Sequence, residues 1–245
     1  MLSPLETGVW TGACAAAGLA LGAGGCAWAA MGPGSQIFGR ALTAPRRPGE
    51  LALTFDDGPN PATTPRLLDL LGSHGVRATF FVLGCRAEAQ RALVGRAAAE
   101  GHVVGSHSWS HPNLAVTAAD RVREELRRSK EALEAICGVP VRFFRPPFGG
   151  RRPMVFRTAR ELGMTPVLWN AMTSDWREPS GVRIAERLWR KVDGLTRRGW
   201  AANVVLHDGG HREPEAERGP SLTAVELLLE RYKDTHRFVT LEAWV

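Results

Sequence analysis

Short apolar runs rich in β-branched and aromatic residues alternate with longer helical patterns from about residue 49 to the C-terminus. This alternation predicts a parallel sheet covered by helices. Because polar residues gather just past the predicted strand ends, we favour an α/β fold with a closed or nearly closed β/α barrel over an open doubly wound sheet. Strands are predicted at 51–55, 78–83, 102–104, 141–144, 166–169, 203–206 and 237–241, with helices at 91–99, 118–136, 154–162, 182–192 and 222–232. Between the first two strands, Thr64 is the expected N-cap of a helix that has Pro65 at its first position.

The composition narrows the class of protein. With 44% hydrophobic and 23% charged residues, the chain is neither disordered nor a polytopic membrane protein. Its formal net charge of +6 raises the question of an anionic partner. The densest basic run, 121–130, interleaves arginines with Glu124 and Glu125, a pattern typical of a solvated helix face, so we expect no nucleic-acid partner. The four cysteines form no C-x-x-C pair, and we interpret them as small buried residues.

The N-terminal part of the chain carries a long uncharged stretch. The apolar run from Gly8 to Met31 spans 24 residues, and at about 1.5 Å per residue it is long enough to cross a hydrocarbon layer of about 30 Å. We therefore predict an N-terminal hydrophobic helix, with residues 1–47 as membrane anchor and linker and residues 48–245 as the barrel domain. A small-residue helix packed on its own domain is the alternative. Arg40, Arg46 and Arg47 follow the run, and the positive-inside rule would place the barrel in the cytoplasm.

Two polar clusters follow predicted strands and contain metal-ligand chemistry. Asp56 and Asp57 end the first strand, where one carboxylate can bind a metal while the other handles a proton. An ordinary turn with Asp capping backbone groups is the alternative. His107 and His111 follow the third strand, and residues at i and i+4 reach one metal if the segment makes a helical turn. Their alternative is a pair of surface histidines. Together, one carboxylate and two imidazoles leave a fourth position for water, as in catalytic zinc sites.

Two later segments contain candidate catalytic groups. Arg145 precedes a proline-stiffened turn, where it can orient a carboxylate, and the backbone N–H of Phe148 can point at an oxyanion. A rigid loop with a surface arginine is the alternative. His207 follows a buried strand and can protonate a leaving nitrogen, with Asp175 holding its ring. The alternative for His207 is a hydrogen-bonded structural histidine.

Five motifs stand in order along roughly residues 50 to 242: Thr54-Phe55-Asp56-Asp57-Gly58-Pro59, His107-Ser108-Trp109-Ser110-His111, Arg145-Pro146-Pro147-Phe148-Gly149, Ser174-Asp175-Trp176 and Leu206-His207-Asp208. Together they resemble the polysaccharide deacetylases of carbohydrate esterase family four, also called the chitooligosaccharide deacetylase homology domain. The resemblance implies a distorted (β/α)7 barrel with a divalent metal, usually zinc, held by Asp57, His107 and His111. It also implies that Asp56 is the base, tuned by Arg145. In the same way, His207 would be the acid, paired with Asp175.

The function that this resemblance implies is a metal-dependent hydrolysis. The N-acetyl group of N-acetylglucosamine units in a peptidoglycan- or chitooligosaccharide-like glycan would be released as acetate. An O-acetyl glycan esterase and a non-catalytic carbohydrate-binding barrel are the alternatives. By the resemblance, Trp176 lines the acetyl or sugar pocket, and we expect Trp109, Pro147 and Phe148 to complete the substrate-binding set.

Two features depart from the family pattern. Many members place an aspartate three residues before the Asp175 position, where this chain has Met172. Members that act on cell-wall glycans usually lie outside the membrane, so we expect a membrane-anchored, extracytoplasmic catalytic domain, against the indication of the flanking arginines.

Overall fold

A curved parallel sheet forms the centre of the computed structural model, which describes residues 24–25 and 28–245. The strand order is β5-β4-β3-β2-β1-β7-β6, with β8 paired beside β1. Consecutive strands are therefore neighbours, and β7 returns to the side of β1, as in a barrel that stays open between β5 and β6. This confirms the predicted distorted β/α barrel. The strands are β1 Glu50–Gly58, β2 Thr79–Val82, β3 Val103–Ser106, β4 Phe143–Phe144, β5 Thr165–Pro166, β6 Ala171–Met172, β7 Ala202–His207 and β8 Arg237–Phe238.

Seven helices cover the described sheet, and most begin or end as their sequences predict. Helix α4 ends at Gly138, whose φ of 70° is the left-handed conformation typical of a helix C-cap. The N-cap of α1 is Thr63 rather than Thr64. The Thr64 hydroxyl is instead engaged in the interior, where it accepts from the Asn60 amide at 2.9 Å and donates to Asp208. The helices are α1 Thr64–Ser73, α2 Gly84–Ala89, α3 Arg91–Ala99, α4 Ala119–Cys137, α5 Pro153–Glu161, α6 Gly181–Arg197 and α7 Gly219–Tyr232.

Several predicted elements differ in length, and α2 and β6 were not predicted. Of the predicted strand 166–169, only Pro166 belongs to β5. The next residue, Val167, instead forms an isolated parallel bridge with Leu42. Leu42 lies there at the outer edge of β5 and covers backbone groups that an edge strand would otherwise expose. The last predicted strand pairs only over Arg237–Phe238, and a 3₁₀ turn, Leu241–Trp244, follows it.

Side-chain alternation along β1 places polar groups inside the barrel. All nine residues of β1 are buried, as expected for a central parallel strand. Leu53 and Phe55 pack in the core beneath the helices, whereas Ala52 belongs to a smaller cluster on the opposite, inner face. Every second side chain of a strand lies on the same face, so Thr54 and Asp56 point inward as Ala52 does. Asp56 thus reaches the interior at the carboxyl end of the strand, where barrel active sites lie.

The described residues before β1 pack against the barrel through a buried arginine. Arg151 is fully buried, and its guanidinium donates to the carbonyls of Gly32 at 2.6 Å, Ser35 at 2.8 Å and Gly149 at 2.8 Å. Its charge has no carboxylate partner among the described residues, so these carbonyl dipoles are what solvate it. Arg151 therefore joins the N-terminal segment to the loop after β4.

Most of the predicted hydrophobic helix, Gly8 to Met31, lies outside the described residues, although residues 28–31 are helical. Within the part of the chain that the structure describes, no helix combines the length and the apolar character needed to cross a membrane. The anchor, the division of the chain at residue 47 and the extracytoplasmic location stay predictions. Cys14 and Cys26 also lie outside the described residues, whereas Cys85 is exposed and Cys137 half-buried, so the interpretation of these last two as buried residues is wrong.

Candidate active site

A cleft of about 780 Å³ opens at the carboxyl ends of the strands. Segments after β1, β3, β4 and β7 meet there because parallel strands end at one rim of a barrel. The structure thereby brings together most of the predicted site residues. The lining includes Asp56, Asp57, His107, His111, Phe148, Met172, Trp176, Arg177, His207 and His211.

The three predicted metal ligands converge on one point in this cleft. Asp57 Oδ1 lies 3.0 Å from His111 Nε2 and 3.4 Å from His107 Nε2. The three candidate ligand atoms all lie within 4.8 Å of one another, and all three residues are buried. The histidines meet without the predicted helical turn. Ser108 and His111 instead adopt left-handed φ values of 70° and 64°, and these bend the loop so that both rings face Asp57.

The hydrogen bonding of this cluster fits a divalent metal. His107 Nδ1 lies 2.8 Å from the Arg145 carbonyl, which can only accept, so Nδ1 carries the proton and Nε2 presents a lone pair. Burial lowers the pKa of His111, so the ring of that histidine is neutral near pH 7. Asp57 Oδ1 has no hydrogen bond of proper geometry from the described residues.

A buried carboxylate oxygen that faces two ring nitrogens is unfavourable unless a cation binds at the point where these atoms converge. One carboxylate oxygen with two imidazole nitrogens is a donor set that suits zinc and related divalent ions.

Asp56 is held by a buried arginine on the other side of the strand end. Arg145 is fully buried, and its Nη1 donates to Asp56 Oδ1 at 2.7 Å and to the Thr54 hydroxyl at 2.8 Å. Arg145 Nη2 donates to Asn203 Oδ1 at 3.3 Å, and the guanidinium lies 4.1 Å from the centre of the Phe81 ring. A charge-assisted hydrogen bond of this kind fixes the position of the carboxylate.

His207 and Asp175 form a second polar pair at the cleft. Asp175 Oδ1 lies 2.8 Å from His207 Nδ1, and Oδ2 accepts from the His207 amide at 2.9 Å and from the Ser221 hydroxyl at 2.8 Å. Burial alone lowers the pKa of His207, but the Asp175 carboxylate outweighs it and raises the pKa to about 9. The imidazole is therefore protonated near neutral pH. In the sheet, His207 on β7 is the register partner of Asp56 on β1, so the two groups flank one cleft.

The loop that carries the two metal-ligand histidines is held by a glutamate that the sequence placed on a solvated face. Glu125 is only 1% exposed. Its Oε2 accepts from the amides of Trp109 at 2.9 Å and Ser110 at 2.8 Å, and its Oε1 accepts from the Ser110 hydroxyl at 2.7 Å. The interpretation of this part of α4 as a solvated face is therefore wrong for Glu125, which fixes the loop between His107 and His111.

Two of the predicted substrate-binding residues lie outside the cleft. Trp109 is only 8% exposed, because its ring packs beneath the Arg128 guanidinium, 3.7 Å from the ring centre. Pro147 is buried in the turn after β4, and Pro146 lines the cleft in its place. Phe148 and Trp176 do lie in the cleft and are 46% and 40% exposed.

Two residues at the metal-ligand cluster were missed by the sequence reasoning. Arg86, at the start of α2, donates from Nη1 to the Asp57 carbonyl and from Nη2 to the Gly210 carbonyl, both at 2.6 Å. It ties the end of β1 to the loop after β7. The His211 ring stacks on His111 with centroids 4.6 Å apart, and its Nδ1 lies 3.8 Å from Asp57 Oδ2. A third histidine just past a strand end was the available signal for His211; nothing in the sequence distinguished Arg86.

A buried acid explains the glycine of the first motif. Asp208 is 2% exposed, and burial raises its pKa to about 7. A Cβ on Gly58 would lie 2.3 Å from Asp208 Oδ2, a distance that no side chain tolerates. Gly58 therefore allows β1 to end against Asp208, with the Asp57 side chain turned towards the two histidines.

The family relationship agrees with this geometry. The sequence model of the family described as polysaccharide deacetylase matches residues 43–167. Over 207 residues the chain is 36% identical to a peptidoglycan-N-acetylglucosamine deacetylase of Bacillus cereus, and the match covers 84% of this chain and 72% of that protein. The chain belongs to the polysaccharide deacetylase family. The resemblance expected from the five motifs is thereby confirmed.

Further members of the polysaccharide deacetylase family match in sequence and in fold. A chitooligosaccharide deacetylase of Azorhizobium caulinodans is 33% identical over 175 residues, covering 71% of this chain and 80% of that protein. A crystal structure of a peptidoglycan N-acetylglucosamine deacetylase superposes with a TM-score of 0.74 at 34% identity, covering 83% of this chain and 91% of that chain.

Proposed function

We propose that this polysaccharide deacetylase hydrolyses the N-acetyl group of N-acetylglucosamine units in a peptidoglycan- or chitooligosaccharide-like glycan, leaving acetate and a free amine. One observation carries the proposal. A carboxylate held by an arginine, Asp56, and a protonated imidazole, His207, are register partners on adjacent strands at one cleft, beside a three-ligand metal cluster. A base and an acid within reach of one substrate are what amide hydrolysis needs.

Asp57, His107 and His111 would hold the divalent ion, for which zinc is the simplest choice. When bound, such an ion supplies Lewis-acid chemistry that activates water and polarises a carbonyl oxygen.

The protein's own groups account for the proton transfers. Asp56, fixed by Arg145, takes a proton from the water that attacks the acetyl carbon. The Phe148 amide has no acceptor among the described residues and can donate to the oxyanion that forms. His207 then gives its proton to the glucosamine nitrogen as the carbon–nitrogen bond breaks, so that the sugar leaves as an amine.

Exchange of Asp56 for Asn tests the assignment of the base. We expect Asp56→Asn to lower the rate of acetate release from an N-acetylglucosamine oligomer by about 100-fold or more. Zinc content should stay near that of the unmodified protein, because Asp56 is not one of the three ligands. Asp120→Asn, at a side chain that is 99% exposed on α4, is the matched control. Near-normal turnover by Asp56→Asn would show that the base is another group.

Exchange of His207 separates amide from ester hydrolysis. An amine leaves an acetyl carbon only after protonation, whereas an alcohol is a better leaving group and depends less on an acid. His207→Gln should therefore lower the release of acetate from N-acetylglucosamine oligomers far more than from acetylated xylan. Equal losses on both substrates would remove this reason for preferring the N-acetyl group. If the metal-loaded protein released acetate from neither, the non-catalytic binding barrel would replace the proposal.

A further inference from the structure

We infer that a basic groove beside the cleft binds the carboxylate of an acidic sugar unit that neighbours the unit being deacetylated. The inference rests on the proposed function and specifies which glycans this chain prefers. The basic groove has a volume of about 360 Å³. It is lined by Met172, Thr173, Ser174, Arg187, Arg190 and Lys191.

The cations of the basic groove stand on one face of α6. Arg187, Arg190 and Lys191 are spaced at i, i+3 and i+4, so their side chains are neighbours on the helix surface. Arg187 is paired with Glu178 at 3.0 Å. Among the described residues, no carboxylate lies within ion-pair distance of Arg190 or Lys191. The groove therefore contains two positive charges that no described group neutralises.

A buried hydroxyl adds a second, independent observation. Thr173 is only 8% exposed, and its hydroxyl has no hydrogen-bond partner among the described residues. A buried hydroxyl without a partner is unfavourable unless a water or a ligand satisfies it. Ser174 lines the groove beside it. The exposed Ser174 hydroxyl and the two free cations together make a donor-rich surface suited to a carboxylate.

Met172 joins the basic groove to the catalytic cleft. Its side chain lines both, and its place is fixed because it pairs with Val205 on β7. The family pattern often has an aspartate at this position. A carboxylate there would oppose a second negative charge, whereas the apolar Met172 leaves the positive field of the groove intact.

The dimensions and neighbouring charges fit one further sugar unit of a glycan lying in the cleft. Trp176 and Arg177 follow Met172 along the cleft wall, and Arg177 adds a third cation without a described carboxylate partner. A neutral chitin-like chain would leave these charges unused. A chain that alternates N-acetylglucosamine with a carboxylate-bearing sugar would satisfy them, so the acidic glycan is the substrate class that the groove favours.

Two tetrasaccharides of equal length test the inference. One is an N-acetylglucosamine tetramer, and the other alternates N-acetylglucosamine with N-acetylmuramic acid, which carries a carboxylate. We expect the double variant Arg190→Gln/Lys191→Gln to raise KM for the acidic tetramer by about 10-fold at low salt. The kcat/KM for the neutral tetramer should stay within about twofold. The control Arg66→Gln/Arg157→Gln removes the same charge from exposed positions outside both cavities and should change neither value.

The outcomes separate this inference from the proposed function. Equal effects of the double variant on both tetramers, or no effect on the acidic one, would overturn the groove assignment. If the unmodified protein deacetylates neither tetramer, the proposed function fails while calorimetric binding still tests the groove. Tighter binding of the acidic tetramer, lost in Arg190→Gln/Lys191→Gln, would then support the groove. Equal binding of the two tetramers would refute it.

Discussion

Replacing Asp175 with Asn removes the charge that keeps His207 protonated. The pKa of His207 is about 9, against a usual value of 6.5. At about 1.4 kcal/mol per pKa unit, this difference of 9 − 6.5 corresponds to a stabilisation of about 3 kcal/mol. Because the pKa is raised in the folded state, this stabilisation is fully present below pH 6.5 and is lost as the pH rises through 9. The Asp175→Asn variant should lack this stabilisation at every pH.

The expected result is a fall in the pKa of His207 below 6.5 in Asp175→Asn, since the effect of burial is then opposed only by the weaker effects of Asp57 and Asp56. At pH 8 the imidazole would be protonated in about 90% of unmodified molecules and in only a few per cent of the variant. NMR titration of metal-free protein measures the pKa directly. Urea unfolding should show a stability deficit that is about 3 kcal/mol larger at pH 6 than above pH 9.5.

Ser221→Ala is the matched control for this prediction. It removes one hydrogen bond to Asp175 Oδ2 and leaves the carboxylate charge in place. We expect it to change the pKa of His207 by less than about one unit. The reasoning would be refuted if Asp175→Asn left the pKa of His207 above about 8, because a source of the charge stabilisation other than Asp175 would then be required.

Two further predictions concern residues that hold the loops of the site. Glu125→Gln should lower the free energy of unfolding by about 1–3 kcal/mol, because the neutral amide is a weaker acceptor for the amides of Trp109 and Ser110. Zinc affinity should fall with it, and unchanged values in urea unfolding and chelator competition would contradict the role. Arg151→Met should cost about 3 kcal/mol, since it leaves buried carbonyls unpaired, and thermal unfolding measures this. A loss no larger than that of the exposed Arg157→Met would count against it.

The fold and the metal cluster were predictable because both follow from chain order. Alternating strands and helices give a parallel barrel, and parallel strands collect polar residues such as Asp57 and His107 at one rim. The spacing of His107 and His111 predicted a shared metal but not the loop that produces it. Ser108 and His111 adopt left-handed backbone conformations. For residues other than glycine, the sequence does not reliably indicate such a conformation.

The sequence patterns did not predict the interior contacts between segments that are distant in the chain. Charge interleaving on α4 indicates an exposed face, yet Glu125 faces backbone amides of a loop that lies 15 and 16 positions earlier in the chain. An aromatic residue between two ligand histidines suggests a sugar platform, but the bend of the loop turns Trp109 beneath Arg128. The open seam of the barrel, covered by Leu42, likewise depends on tertiary pairing that periodicity does not encode.

The convergence of Asp57, His107 and His111 on one ion is the central claim, and calorimetric titration of zinc into metal-stripped protein tests it most directly. We predict one ion per chain, with affinity reduced by at least about 100-fold in His107→Ala and in His111→Ala. His74→Ala, at a histidine outside the cleft, should bind as the unmodified protein does. Undiminished zinc affinity in both ligand variants would contradict the account.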